Sequence, residues 1–350
     1  MAGDGVDDMG ARGMGRRGIL AALSYMACAV LLVMFNKAAL STYSFPCANV
    51  ITLLQIICSI CLLYTLRYWN LITFENEPLE IILGKEGSTS KRLLVPMRTF
   101  KRTLPLSFSY LMYMVIGMAS LRGVSVPMYT TLRRTTVLFT MAMEYAIMGQ
   151  RHSREVICSV GVIVFGAFLA GARDFSFDTA GYSLVVISNV TTAIYLAVIA
   201  RLGKVTGLNS FGLMWCNSLV CLPILLVWTW LTGELHSATD FPALYEHGFQ
   251  VGVSSLGLSC FMISFWFPLS QAVLLLSCIL AFVLNYTIFL NTSLNSPLTQ
   301  TMCGNIKDLG TIFLGWLLFG GLPFDWLNVL GQALGFLGSG FYAYCKLHGK

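Results

Sequence analysis

The chain has 350 residues, of which 56% are hydrophobic and 11% are charged, against about 25% charged residues in an ordinary soluble protein. So few charges cannot cover the surface of a soluble fold of this length, and the mean hydropathy is +0.74. Disordered, fibrous and disulfide-rich secreted proteins are excluded by the same composition. The net charge of +6 does not form the basic surface of a nucleic-acid-binding protein, so nucleic acid is not an expected partner. The sequence predicts a polytopic protein embedded in the lipid bilayer.

Apolar runs of about 20 residues, long enough for a helix to cross the hydrocarbon core, recur along the chain. The predicted fold is an all-α polytopic membrane protein with ten transmembrane helices, arranged as two inverted five-helix repeats at 19–172 and 179–345. Residues 1–18 are predicted to form a cytosolic tail, and 67–102 a cytosolic loop. The ten predicted spans are 19–40, 46–66, 103–121, 125–149, 155–172, 179–201, 209–231, 271–291, 297–319 and 324–345.

The distribution of lysine and arginine predicts that both termini are cytosolic. With the N-terminus in the cytosol, only Arg122 and Arg173 of the 22 basic residues fall in loops on the far side, as the positive-inside rule requires. Residues 1–18 resemble neither a signal peptide nor a transit peptide. The apolar segment 251–271, interrupted at Pro268, is an eleventh span, a re-entrant segment or an elongated start of the eighth helix. Ten spans keep the C-terminal lysines on the cytosolic side and are favoured.

Six ionisable residues fall inside the predicted spans, where a charge costs at least about 3 kcal/mol and therefore suggests a function. Four are bases and two are acids, so mutual pairing leaves positive charge for an anionic substrate to neutralise. These residues are Lys37, Arg133, Arg134, Glu144, Lys307 and Asp308.

The fourth and ninth spans have similar sequences. Each begins with a proline (Pro127, Pro297), continues through hydroxyl residues and reaches a base about two turns later. In inverted repeats such helices approach one cavity near the bilayer midplane. We therefore predict that Arg133, Arg134 and Lys307 bind the phosphate groups of a substrate.

Structural roles remain as alternatives for the charged residues. Neighbours on a helix point about 100° apart, so one of Arg133 and Arg134 is expected to face the cavity. The other is expected to pair with Glu144 or to bind a backbone carbonyl. Asp308 is either a local partner of Lys307 or a ligand.

Aromatic and small residues near these bases also have two interpretations. Gly304 would let a planar ligand approach the backbone beside Lys307. Trp215, Tyr129 and Tyr113 are candidates for stacking on a base, but aromatic residues in a bundle also serve as packing.

Three further features are less specific. Lys37 is either a gating residue or a base that extends to the membrane surface. Gly331 and Gly335 form a G-x-x-x-G motif, typical of close helix packing and, in some proteins, of a homodimer. Cys58 and Cys61 form a C-x-x-C without a second pair or a histidine nearby, so neither a metal nor a cofactor is expected.

Three segments carry motifs of a known family. Residues 35–46 contain an N-K…F-P pattern, 132–141 read L-R-R-T-T-V-L-F-T-M, and 304–308 read G-N-I-K-D. With these motifs, the chain resembles the nucleotide-sugar transporters of the drug/metabolite transporter superfamily over nearly its whole length.

Two motifs distinguish subgroups of that family. Its GDP-mannose members carry F-Y-N-N in the seventh helix and G-A-L-N-K in the ninth. Here 215–218 read W-C-N-S and 304–308 read G-N-I-K-D, so only Asn217 and Gly304 keep the family residue. The resemblance therefore implies a UDP-sugar, and the segments 303–309 and 318–325 resemble plant transporters of UDP-N-acetylglucosamine.

The resemblance implies an antiporter without enzymatic activity that exchanges a cytosolic UDP-sugar for lumenal UMP across the Golgi or endoplasmic reticulum membrane. Relative to this family, 251–271 resembles an insertion. Lys37 is the expected gating residue. The expected substrate-binding residues are Lys307, Arg133, Arg134, Gly304, Asn305, Asn217, Trp215, Tyr129 and Gln300.

Three other functions are less compatible with the sequence. A triose-phosphate-type antiporter is disfavoured because 1–18 does not resemble a transit peptide, and a drug or metabolite exporter would need fewer buried bases. An integral membrane glycosyltransferase would need a carboxylate pair or metal at a loop, for which Asp174 and Asp178 are the best candidates.

Overall fold

The structure is a computed structural model that describes residues 14–43, 48–74, 95, 97–124, 126–171, 179–234, 269–319 and 326–348. Every regular element in these ranges is a helix, in agreement with the predicted all-α class. In chain order they are α1 (Arg16–Tyr43), α2 (Ala48–Tyr68), α3 (Met97–Gly123), α4 (Val126–Arg133), α5 (Thr136–Met148), α6 (Arg154–Gly171), α7 (Thr179–Thr206), α8 (Ser210–Leu231), α9 (Leu269–Leu294), α10 (Pro297–Phe319) and α11 (Trp326–Leu347).

A helix occupies each predicted span, and the fourth span is divided into α4 and α5. Four stretches in the described ranges are long and apolar enough to cross a membrane: Arg16–Val33, Arg154–Gly171, Thr179–Thr206 and Ser210–Leu231. The inverted-repeat arrangement stays a prediction. Residues 251–268 and most of the loop 67–102 lie outside the described residues, so the three interpretations of 251–271 stay open.

Local sequence explains where several helices begin and end. Pro297 opens α10, a position where its missing N–H costs nothing, and the Ser296 hydroxyl accepts from the Thr299 N–H at 3.1 Å. The Asn209 side chain caps α8 by accepting from the Gly212 N–H at 3.0 Å. After α5, Gly149 adopts a φ of 67°, the left-handed conformation that glycine tolerates best.

One compact unit comprises 1–27, 108–205 and 287–350, and we call it unit 1. It contains α4–α7, α10 and α11 with parts of α1, α3 and α9, so it draws on both predicted repeats. Its apolar core joins α5, α6, α10 and α11. The core residues are Val137, Val156, Val160, Ile163, Leu298, Met302 and Tyr342.

Within unit 1, α6 and α11 pack with their backbones close together. A methyl group on Gly166 would lie 2.7 Å from the Gly331 carbonyl oxygen, and one on Gly338 would lie 2.9 Å from the Ser159 carbonyl oxygen. Small residues permit this approach in membrane bundles. The G-x-x-x-G motif therefore serves packing inside the chain, which is one of the two roles predicted for it.

The second unit comprises 28–107 and 206–286, and we call it unit 2. Asn49, at the start of α2, donates to the Glu234 carboxylate through its backbone N–H at 3.1 Å and its side-chain amide at 2.6 Å. The Asn209 N–H donates to the Phe74 carbonyl at 3.1 Å. Hydrogen bonds therefore connect both ends of α2 to residues adjoining α8.

Candidate functional site

Arg133, the last residue of α4, lies among tyrosines of unit 1. Its Nη1 donates to the Tyr129 hydroxyl at 2.7 Å, and its guanidinium carbon lies 5.7 Å from the ring centroids of both Tyr113 and Tyr129. Tyr113 stacks on Tyr195 of α7 at 5.6 Å, and Tyr110 packs against Tyr195 at 5.5 Å. We call Tyr110, Tyr113, Tyr129 and Tyr195 the tyrosine cluster. Arg133 is thus a cation held by hydroxyl and ring groups.

Arg134 points to different surroundings. Its side chain is buried, 5% exposed, and its Nη1 donates to the Gln332 carbonyl of α11 at 3.3 Å. Its guanidinium carbon lies 4.5 Å from the Phe336 ring centroid. Of the two structural roles considered for this pair of arginines, binding of a backbone carbonyl is the one that Arg134 adopts.

Glu144 is fully buried and has partners other than Arg134. Its Oε1 accepts from the Leu298 N–H at the start of α10, at 2.6 Å, and its Oε2 lies 3.3 Å from His152 Nε2. The considered pairing of an arginine with Glu144 is therefore not what the structure has. Within the described part of the chain, neither Arg133 nor Arg134 has a carboxylate within 4 Å.

The ninth span places Lys307 and Asp308 in contact, with Nζ 2.8 Å from Oδ1. Two roles were left open for Asp308, and this contact corresponds to the role of local partner of Lys307. Two turns before them, Gln300 is buried and its side-chain oxygen accepts from the Asn291 amide of α9. Asn305 is 6% exposed, and its amide nitrogen has no hydrogen-bond partner among the described residues. A buried donor of this kind is costly to leave unsatisfied, so Asn305 stays a candidate for binding a ligand.

Tyr25 of α1 lies beside α10, within electrostatic reach of Arg133 at the end of α4. Its hydroxyl oxygen lies 3.7 Å from the position that a methyl group on Gly304 would take. The same hydroxyl is within electrostatic reach of Asp308, Tyr113 and Arg133. Unit 1 thus brings Arg133 of α4 and Gly304 of α10, which the sequence predicted from two different helices, to the surroundings of Tyr25.

The predicted residues of the seventh span belong to unit 2. Trp215 is buried and stacks on Phe74, with ring centroids 5.5 Å apart, and the Arg67 guanidinium carbon lies 5.5 Å from the Phe74 centroid. Asn217 accepts from the Cys221 thiol one turn later, at 3.6 Å. These contacts favour the packing role that was left open for Trp215. The side chain of Lys37 lies outside the described residues.

Three residues of this region were not singled out from the sequence: Tyr25, Tyr195 and Asn189. Asn189 is 1% exposed and hydrogen-bonds the segment between α4 and α5. The sequence did contain a signal for it, because an asparagine inside the run Ser-Asn-Val-Thr-Thr (188–192) interrupts an otherwise apolar span. Polar residues inside a membrane helix usually have a partner on another helix.

Together, the apolar helices define a helical membrane protein, and the buried bases in contact with polar and aromatic groups are its candidate site for an anionic solute. The chain belongs to the Triose-phosphate Transporter family, whose model matches residues 16–343. It is therefore a transporter and not an enzyme.

Comparison with known proteins gives relatives across the whole length. The chain is 56% identical over 350 residues to the UDP-N-acetylglucosamine transporter UGNT1 of Arabidopsis thaliana, covering 99% of this chain and 94% of the relative. It is 29% identical to the UDP-sugar transporter sqv-7 of Caenorhabditis elegans, with 95% and 90% covered. A protein of known crystal structure matches with a TM-score of 0.57 and 12% identity, over 93% of this chain and 95% of that one. This last similarity concerns the fold alone.

Proposed function

We propose that the chain is a nucleotide-sugar antiporter that carries cytosolic UDP-N-acetylglucosamine into the lumen of the Golgi or endoplasmic reticulum in exchange for UMP. We infer the substrate from the one in the name of the relative that is 56% identical to this chain. The observation that carries the proposal is Arg133. This half-buried cation contacts tyrosine hydroxyl and ring groups, and the described residues place no carboxylate within 4 Å of it. A cation that is partly removed from solvent and has no acid beside it favours an anion from outside the chain.

The phosphates are assigned to Arg133 and Lys307. Arginine offers a planar fork for phosphate oxygens, and lysine a point charge. Lys307 would exchange its Asp308 partner for the substrate, because neither charged side chain is enclosed: they are 22% and 36% exposed. Arg134 supports this site through α11 and is the weaker candidate for a direct contact.

The remaining parts of the substrate are assigned to neutral groups. The tyrosine cluster offers flat rings to the uracil base, and Gly304 leaves room for close approach beside Tyr25. Asn305 offers a free amide donor, and Gln300 completes the polar surface of α10. Lys37 as a gating residue, and Trp215 and Asn217 as substrate contacts, stay predictions from the sequence.

The transport cycle is proposed to be alternating access between two inverted five-helix repeats, with both termini in the cytosol. Inverted-repeat transporters expose a midplane site to each side in turn. Exchange follows because UDP-N-acetylglucosamine and UMP share the uridine and the phosphate that the site would bind. A homodimer would have to use a surface other than Gly331 and Gly335.

The test is uptake into liposomes that contain the purified protein and are preloaded with UMP. We expect UDP-N-acetylglucosamine to enter only when UMP is inside, and GDP-mannose not to enter. Equal uptake of GDP-mannose would contradict the assignment to a UDP-sugar. Uptake without UMP inside would contradict antiport.

The second candidate is an organic-phosphate antiporter of the triose-phosphate type, and the description of the matching family favours it. A triose phosphate and inorganic phosphate therefore belong in the same uptake experiment, on the outside and as preloaded counter-substrate. Exchange of these two in preference to uridine nucleotides would identify this alternative. A general drug or metabolite exporter would export an uncharged solute and ignore both.

A further inference from the structure

The predicted fourth span is interrupted beside the arginine assigned to phosphate. Between α4 and α5, the N–H groups of Arg134 and Thr135 bond to carbonyls three residues back, those of Thr131 at 3.2 Å and Leu132 at 3.0 Å. Such tight turns inside a longer helix often occur at functional sites. Here the turn separates Arg133, which faces the tyrosine cluster, from Arg134, which faces α11.

Asn189 of α7 hydrogen-bonds both sides of this turn. Its Nδ2 donates to the Leu132 carbonyl at 3.0 Å and to Thr135 Oγ1 at 3.0 Å. Its Oδ1 accepts from Thr136 Oγ1 at 2.9 Å. A bilayer offers no water to an interrupted helix, so partners of this kind must come from neighbouring helices.

The three residues that Asn189 hydrogen-bonds lie on both sides of Arg133 in the sequence. Leu132 precedes it and Thr135 and Thr136 follow it, so the direction of the Arg133 side chain depends on a turn that Asn189 fixes. The same helix α7 carries Tyr195, which stacks on Tyr113 at 5.6 Å, and the Arg133 guanidinium lies against Tyr113. Helix α7 therefore holds the backbone on both sides of Arg133 and also packs against Tyr113, which contacts its guanidinium group.

We propose that Asn189 is a positioning residue for substrate binding, acting through Arg133 without touching the substrate. This inference rests on the proposed function, because Arg133 is the assigned phosphate ligand. Loss of the amide would leave the α4–α5 turn free to rearrange and would turn the guanidinium away from the phosphate. Misplacing a binding group by about 1 Å is enough to reduce binding strongly.

The experiment compares Asn189→Ala with Thr192→Val, one turn further along α7. Thr192 Oγ1 donates to the Ser188 carbonyl of its own helix, so its loss tests a buried polar group at similar depth without the α4–α5 turn. We expect Asn189→Ala to raise the KM for both UDP-N-acetylglucosamine and UMP by about tenfold, with a much smaller change in maximal exchange rate. Thr192→Val is expected to leave KM unchanged.

A double-mutant cycle with Arg133→Lys separates positioning from general stability. If Asn189 acts through Arg133, Asn189→Ala should change KM much less in the Arg133→Lys background than in the wild type. Full additivity of the two changes would overturn the inference, as would an equal KM for Asn189→Ala and Thr192→Val. Asn189→Ser, which keeps one donor, should give an intermediate KM and serves if the alanine variant does not fold. If neither Asn189 variant folds while Thr192→Val does, Asn189 maintains the fold and the positioning role is wrong.

The wild-type measurement distinguishes the two proposals. A wild-type protein that exchanges neither UDP-N-acetylglucosamine nor UMP overturns the proposed function, and this inference with it. A wild type that exchanges both, with an Asn189 variant of unchanged KM, overturns this inference alone.

Discussion

Lys307 Nζ lies 2.8 Å from Asp308 Oδ1, so a base and an acid that are neighbours in sequence form an ion pair on α10. Their side chains are 22% and 36% exposed, so the surrounding residues leave part of both charged groups uncovered. We therefore expect a substrate phosphate to reach Lys307 and to replace the carboxylate.

We predict that Lys307→Ala abolishes exchange of both UDP-N-acetylglucosamine and UMP and leaves the amount of folded protein nearly normal. Arg201→Ala, at an exposed base of α7, is the control and should exchange normally. The double variant Lys307→Ala, Asp308→Ala should remain inactive, because the substrate still lacks its cation. If the double variant exchanges UMP at the wild-type rate, Lys307 only balances Asp308 and is not a phosphate ligand.

Arg133 and Arg134 should respond differently to replacement. Arg133→Ala is expected to lose exchange and keep its melting temperature in detergent, because Tyr110, Tyr113 and Tyr195 remain packed on one another without it. Arg134→Ala should lower the unfolding free energy by about 1–3 kcal/mol, because it removes a buried side chain that hydrogen-bonds α11 and packs on Phe336. Melting curves and the exchange rate per folded molecule distinguish the effects of the two variants. An Arg134→Ala protein of normal melting temperature without exchange would make Arg134 the phosphate ligand.

The positions of the helices were predictable because a membrane-spanning helix requires a long apolar run, and such a run can be recognised from the sequence alone. The turn between α4 and α5 could not be predicted in this way, because it depends on hydrogen bonds from Asn189. This residue lies 53 residues after its partner Thr136 in the sequence. Likewise, the sequence raised both roles of Asp308, and only the side-chain direction selects the ion pair with Lys307. The convergence on Tyr25 required knowing that this residue of α1 lies beside Gly304 of α10 and within electrostatic reach of Arg133 of α4.

The close packing of α6 and α11 predicts a strong effect of added volume. Gly166→Ala would place a methyl group 2.7 Å from the Gly331 carbonyl oxygen and 3.0 Å from Leu334 Cβ, so the two helices must separate. We expect the variant to lose about 1–3 kcal/mol of unfolding free energy. Gly161→Ala, on the same helix with nothing within 4 Å, should not lose stability. Equal melting temperatures of the two variants would contradict the close approach.

The sequon Asn291-Thr292-Ser293 is expected to carry no glycan. Asn291 is fully buried, its amide donates to Gln300, and its side-chain oxygen accepts from Asn295 at 2.6 Å. Glycosylation requires an exposed acceptor on the lumenal side, whereas the predicted topology places this segment in the cytosol. Electrophoretic mobility should therefore be unchanged by endoglycosidase and by Asn291→Gln. A shift with either would contradict the topology.

His152, between α5 and α6, should make the protein less stable in acid. Its side chain is 11% exposed and its Nε2 lies 3.3 Å from Glu144 Oε2. Burial, assisted by the positive charge of Lys346, holds the pKa of His152 below its ordinary value of 6.5. The folded chain therefore keeps the imidazole neutral at a pH where the unfolded chain already binds a proton.

Because the unfolded state binds more protons in this window, the stability contributed by neutral His152 is complete above about pH 6.5 and is lost as the pH falls below it. We expect the melting temperature in detergent to fall between about pH 7.5 and about pH 5.5, and to fall less in His152→Gln, which cannot take up the proton. His348→Gln, at an exposed residue just after α11, is the matched control and should follow the wild type. A wild type and a His152→Gln variant with the same pH dependence would show that His152 does not bind its proton differently in the folded and unfolded states.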